Sequence, residues 1–192
     1  MKTIEILSEM NIHFDEATDS LFDYILECKK ITTLDMFPKV IHNSRKYQSV
    51  EVFYQRVLDR NMKKQEFINI EKRFIDFVMS LWLYNETYVD ICSSAEFNSS
   101  YYYKKNKKLL KKYSKFFTKS AGNDEFLLIE NKDILHSFAI LATRDISPVI
   151  FYFRNSKIML LLNGCIGLIY YGLPKEDLLT KQIADNCSLY LY

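Results

Sequence analysis

The chain has 192 residues, and its 26 basic and 24 acidic side chains leave a formal net charge of only +2. This near balance is not that of a dedicated nucleic-acid-binding protein, and the 48% hydrophobic content is typical of an ordinary globular domain. We therefore expect a single domain over residues 1–192, with a sub-boundary near 120–125 as the alternative. The chain has only four glycines and three prolines, a scarcity that favours long helices.

Helical periodicity recurs along the first three quarters of the chain. Apolar residues every three to four positions predict five helices: Phe14–Lys30, Tyr47–Asn61, Lys64–Tyr84, Tyr102–Lys119, and a helix from the cap Asn131 through Ile146. Residues 31–37 are interpreted as a connector and Asn85–Ser100 as largely loop. The Lys64–Tyr84 segment has an unusually broad apolar face, which is typical of a central helix.

The region 149–171 admits two interpretations. Ser147-Pro148 resembles a helix start, and this flank favours a mainly α fold, an irregular multi-helix array or bundle. In the alternative, Asn163-Gly164 is a hairpin turn between short apolar runs, which gives an α+β fold with N-terminal helices and a C-terminal antiparallel meander at 149–171. Pro174 is predicted to open a final short helix, and the 189–192 tail is predicted to dock on its own domain or to pair as a strand.

An acidic stripe follows one side of the first predicted long helix. It consists of Asp15, Glu16, Asp19, Asp23 and Glu27. Carboxylates on a rigid helix complement a basic surface and accelerate association with it. We predict that this stripe binds a protein partner, with a solvated helix face or internal pairing with lysines as the alternatives.

A run of lysines marks the predicted helix 102–119. It contains Lys104, Lys105, Lys107, Lys108, Lys111, Lys112, Lys115 and Lys119, interleaved with aromatic residues and without an acidic residue. Such a face binds phosphate backbones electrostatically, although arginine, the usual residue for specific contacts, is absent from it. Nucleic-acid binding through this helix is the alternative function, and a solvated face is the simplest interpretation.

The common catalytic and metal-binding motifs are missing. The sequence contains no GxGxxG, no GxxxxGK[ST], no GxSxG, no HExxH and no paired Cys/His spacing, so we predict no cofactor, no metal and no catalytic residue. The four cysteines, Cys28, Cys92, Cys165 and Cys187, are widely spaced and are predicted to be reduced, mostly buried thiols. A pairing of His136 with Cys92 or Cys165 would be the best catalytic guess, and it rests on residue type alone.

These features together favour a non-enzymatic protein-binding module in the cytoplasm. Met1–Glu9 lacks the apolar core of a secretory signal, so secretion is not expected. Ile158–Leu173 would span about 24 Å as a helix, which is shorter than the ~30 Å core of a bilayer, so stable membrane insertion is not expected either. The specific hypothesis is a cognate inhibitor, such as an immunity protein that neutralises a toxin by covering its active site; if the toxin is a nuclease, its basic cleft would suit the acidic stripe. An enzyme whose site is invisible to motifs is the remaining alternative.

Overall fold

A computed structural model of the chain describes residues 1–12, 21–27, 31–91, 126–173 and 178–192. In chain order its elements are α1 (Thr3–Glu9), α2 (Leu21–Glu27), β1 (Ile31–Asp35), α3 (Ser44–Val50), α4 (Tyr54–Leu58), α5 (Lys64–Trp82), β2 (Thr87–Ile91), β3 (Leu127–Leu128), α6 (Lys132–Thr143), β4 (Val149–Phe153), β5 (Ile158–Leu162), β6 (Gly167–Tyr171), α7 (Leu178–Asn186) and β7 (Tyr190–Leu191).

The strands form one sheet of seven strands within the described ranges, in the order β3-β2-β4-β5-β6-β1-β7. Every pairing is antiparallel, and β4, β5 and β6 form a continuous meander. The mainly α prediction is therefore wrong, and the α+β alternative with a meander at 149–171 is confirmed. Residues 31–37 also depart from the connector that was predicted, because β1 pairs with both β6 and β7.

The predicted helix after Ser147-Pro148 is wrong for a physical reason. All five residues of β4 and all five of β5 are buried, because helices cover both faces of the sheet. Strands buried on both faces are continuous apolar runs without alternation, so periodicity does not separate them from a buried helix. Asn163-Gly164 begins the turn between β5 and β6, and Gly164 adopts a φ of +63° there.

Helices α5, α6 and α7 pack on one face of the sheet and form the main core. Phe67, Phe74 and Phe77 of α5 are fully buried against alternate strand residues such as Phe151 and Leu160. Asn131 caps α6 as predicted, because its side chain accepts hydrogen bonds from the amides of residues 133 and 134. Two helices, α3 and α4, replace the single helix predicted over 47–61.

Helices α1 and α2 cover the opposite face and form a second core. Ile6 and Met10 of α1, with Leu21 and Ile25 of α2, pack in one apolar cluster with Tyr152 and its neighbours on the sheet. The result is a three-layer arrangement of helices, sheet and helices. None of the helices within the described ranges combines the length and the apolar character needed to cross a lipid bilayer.

Candidate binding groove

The residues predicted to bind a partner are only partly within the described ranges. Asp23 and Glu27 lie on α2, whose Leu21 and Ile25 face the sheet, and the structure does not describe the side chains of those two acids. The rest of the acidic stripe (Asp15, Glu16, Asp19) and the whole lysine run (Lys104, Lys105, Lys107, Lys108, Lys111, Lys112, Lys115) lie outside the described residues, so both binding predictions stay predictions.

Of the two predicted partners of His136, Cys165 does not lie near it, whereas Cys187, which was not predicted, lines the same groove as His136. Cys165 is buried in the turn between β5 and β6, and burial raises the pKa of its thiol. His136 is exposed on α6 and lines a different cavity from Cys165. Cys187 is half-buried, and desolvation also raises its pKa. Both described thiols are thus poorly suited to act as thiolates, and Cys28 and Cys92 lie outside the described residues.

A groove of about 790 Å³ lies on the outer surface of the layer formed by α5, α6 and α7. The outward side of α5 forms its floor, with α6 along one side and the end of α7 contributing as well. Its apolar lining residues are Ile68, Ile75, Met79, Trp82, Leu83 and Ile140. Leu83 is 72% exposed at the end of α5, so the groove presents apolar surface directly to solvent.

Buried and exposed ion pairs fix the charged side chains of the groove. Glu71, only 3% exposed, accepts two hydrogen bonds from the Arg144 guanidinium, at 2.7 and 3.0 Å, and a third at 3.1 Å from the Thr143 hydroxyl. This pair joins α5 to the end of α6. On the exposed side of α5, Lys72 pairs with Asp76 one turn later. Only the Glu71–Arg144 pair therefore fixes one wall of the groove relative to another, because both members of the exposed pair belong to α5.

The Arg144 end of the groove is also joined to α4. The Arg144 guanidinium lies over the ring of Tyr54, 5.2 Å from its centroid, and the same ring contacts Phe67 with a centroid separation of 5.2 Å. A cation over an aromatic face is stabilising, more so when partly desolvated. At this end of the groove, Arg144, which follows α6, therefore contacts both α4 and α5.

At the opposite end, the groove is anchored by the single tryptophan of the chain. The Trp82 indole N–H donates to the Ile129 carbonyl at 3.1 Å, which ties the end of α5 to the segment before α6. Lys132 and His136 line the groove on the α6 side. Both are exposed, and no ion pair joins either of them to a described residue. The charge of Lys132 at this end is therefore not paired with an acidic side chain of the described residues.

A second, smaller cavity of about 50 Å³ lies beside the C-terminal end of α6. Its polar lining includes Asp35, Tyr47, Glu51, Asp145 and Cys165. Asp145 adopts a φ of +54°, and its carboxylate accepts the Tyr54 amide hydrogen at 3.3 Å. Burial raises the pKa of Asp145 to about 6, the Tyr54 amide opposes the rise, and the charge of Glu51 adds to it. A cavity of this size has room for about one or two water molecules.

No described group of three or more His, Cys, Asp or Glu side chains is arranged to hold a metal ion. The groove was missed at the level of sequence because its residues are spread over three helices. The sequence signal for the groove is the broad apolar face of α5, which by itself indicates only a central position in the fold.

The fold and the groove define a three-layer α+β protein with an open, helix-walled groove on one outer face. Comparison of the chain with protein-family models, with curated proteins and with solved structures gave no match. The assignment of function therefore rests on the groove and on the sequence features described above.

Proposed function

We propose that the protein acts by binding another protein along the α5 groove, without chemistry of its own. The observation that carries this proposal is the exposed apolar surface of Leu83, continuous with Met79 and Trp82 on a helix held rigidly by the core. Tryptophan, methionine and arginine are enriched at protein interfaces, and Trp82, Met79 and Arg144 all line this groove.

The shape of the groove favours a protein over a small molecule. Its volume lies within the range of small-molecule sites, but those sites enclose most of their ligand. Here the lining residues run along α5 from Ile68 to Leu83, about 22 Å of helix, and Leu83 projects into solvent. A long, shallow surface of this kind suits an extended contact with a macromolecule.

In its narrower form, the proposal is that the partner is a toxin that the protein neutralises by covering its active site. This form is supported by the absence of catalytic motifs from the sequence and by its acidic stripe, which would suit a basic nuclease cleft. The test is co-purification with the product of the neighbouring gene, followed by an assay of that product with and without the protein. Failure to form a stable complex would contradict the toxin-inhibitor form.

The general form is tested by affinity capture from the native host, with and without nuclease treatment. Leu83→Asp and Met79→Asp place a charge on the groove floor, and Leu178→Asp is the matched control. Leu178 is 75% exposed, as exposed as Leu83, but it does not line the groove. We expect one stoichiometric partner that survives nuclease and is retained by Leu178→Asp but lost with either groove variant.

Two outcomes would contradict the proposal. Retention of the partner by all three variants would mean that binding occurs elsewhere on the protein. Loss of every captured component on nuclease treatment would point to nucleic acid and to the lysine run. In that case, replacing Lys107, Lys108, Lys111 and Lys112 by Gln should flatten the salt dependence of binding.

A further inference from the structure

The apolar residues of the groove floor follow the spacing of a helix-packing seam. Ile68, Ile75, Met79 and Leu83 are separated by seven, four and four positions, so they form one line along α5. Ile75 is buried, Ile68 and Met79 are half-buried, and Leu83 is exposed. The partly exposed members Ile68, Met79 and Leu83, with Ile75 buried between them, mark an apolar line about four turns long, against which a second helix can pack.

The walls of the groove also discriminate between a helical and an extended occupant. All of its walls are helices, whose backbone groups are bonded within each helix, apart from those at the ends. An extended segment would find no sheet edge to pair with and would leave its own backbone groups unpaired when it loses water. A helix satisfies its backbone internally, so it is the occupant that this groove accommodates at lower cost.

The charges around the groove are distributed unequally. Glu71 pairs with Arg144 and Lys72 with Asp76, so four of the charged lining groups neutralise one another. Lys132 remains on the α6 side without a described ion-pair partner, and the imidazole of His136 lies one turn further along the helix. They lie in the first turns of α6, where the helix dipole adds further positive potential. Glu130 and Asp133 are near in sequence but do not line the groove.

We propose that the occupant of the groove is an amphipathic helix that places its apolar stripe on α5 and an acidic residue against Lys132 and His136. This assignment rests on the proposed function. It further specifies that the segment of the partner in the groove is helical and carries an acidic residue. The apolar stripe supplies the affinity, and the charge at the α6 end sets the direction in which the helix lies.

The assignment is testable without the native partner, because Trp82 is the only tryptophan and lines the groove. The probes are two tryptophan-free synthetic helices of about 18 residues, long enough to cover the stripe. They share the same apolar positions and differ only in carrying Glu or Lys on the flank at one end. Titration of each into the full chain at low salt, followed by Trp82 emission, gives both affinities.

We expect the Glu probe to shift Trp82 emission and to bind at least about tenfold more tightly than the Lys probe. The double variant Lys132→Glu, His136→Glu should reverse that preference, and Leu83→Asp should weaken both probes. Equal binding of the two probes, or a preference unchanged in the double variant, would overturn the assignment. If Leu83→Asp still abolishes capture of a native partner in that case, the proposed function stands and only the charged-helix assignment fails.

Discussion

Replacement of Asp145 by asparagine should stabilise the protein at neutral pH. Asparagine keeps a side-chain oxygen to accept the Tyr54 amide, and it tolerates the positive φ that residue 145 adopts. The substitution removes only the ionisable group. It therefore isolates the free energy of holding a charge in the small cavity beside Glu51 and Asp35.

The magnitude follows from the difference between the folded and the unfolded pKa of Asp145. Its pKa is about 6 in the folded chain against 3.8 ordinarily, a difference of about two units or roughly 3 kcal/mol. Because the folded pKa is the higher one, the folded state binds the proton more tightly. The contribution of Asp145 to stability is therefore complete below pH 3.8 and is lost as the pH rises through 6.

Urea denaturation of the wild type and Asp145→Asn at several pH values between about 4 and 7.5 measures this difference. We expect a gain of about 3 kcal/mol at pH 7.5, or ~6–12 °C in Tm for a chain of this size, that shrinks toward zero near pH 4. The matched control is Asp185→Asn, which removes an exposed carboxylate on α7. A gain that does not vary with pH, or no gain at all, would refute the argument that a buried charge is responsible.

Three further substitutions test the packing around the groove and the small cavity. Glu71→Ala should lower the free energy of unfolding by about 3 kcal/mol, because it leaves Arg144 partly buried without its partner. Urea denaturation should show a smaller loss when Glu71 and Arg144 are both replaced by Met. Gly164→Ala should lower the free energy of unfolding by about 1–2 kcal/mol. The added Cβ would lie 2.6 Å from an Asp145 carboxylate oxygen, and residue 164 has a φ of +63°, which alanine rarely adopts. A smaller loss in an Asp145→Ala background would confirm the contact. Phe74→Ala empties a fully buried position and should cost about 3–5 kcal/mol, so a loss below ~1 kcal/mol by thermal unfolding would contradict its place in the core.

The elements that the sequence predicted well are those with both periodicity and a terminal signal. Helix α5 has inward residues such as Phe67 and Leu81 at helical spacing, and α6 has the cap Asn131 ahead of its periodic residues. In both helices one side faces the sheet and the other is more exposed, which gives a clear pattern. The tail at Tyr190–Leu191 also pairs as a strand with β1, one of the two predicted alternatives.

The sheet was underestimated because its central strands lack a polar face. Tyr152 faces α1 and Phe151 faces the opposite helices, so neighbouring residues of β4 are equally buried. Only the turn residues Asn163-Gly164 carried the strand signal, and Ser147-Pro148 carried an equally good helix-start signal. The groove was beyond prediction for another reason: Met79, His136 and Cys187 are distant in sequence and meet only after the three helices have packed.

The two edges of the described sheet bear on how readily it could pair with a strand of another chain. The outermost strands, β3 and β7, are each two residues long, while the strands between them have five. A long, flat edge strand would invite pairing with another chain, which leads to aggregation, and short edge strands reduce that hazard. At β7, the Thr33 and Tyr192 backbones exchange hydrogen bonds of 2.6 and 3.1 Å, and the Tyr192 hydroxyl donates to Asp35 at 2.8 Å. Among the residues that the structure describes, each edge strand thus presents only a short stretch of backbone to another chain.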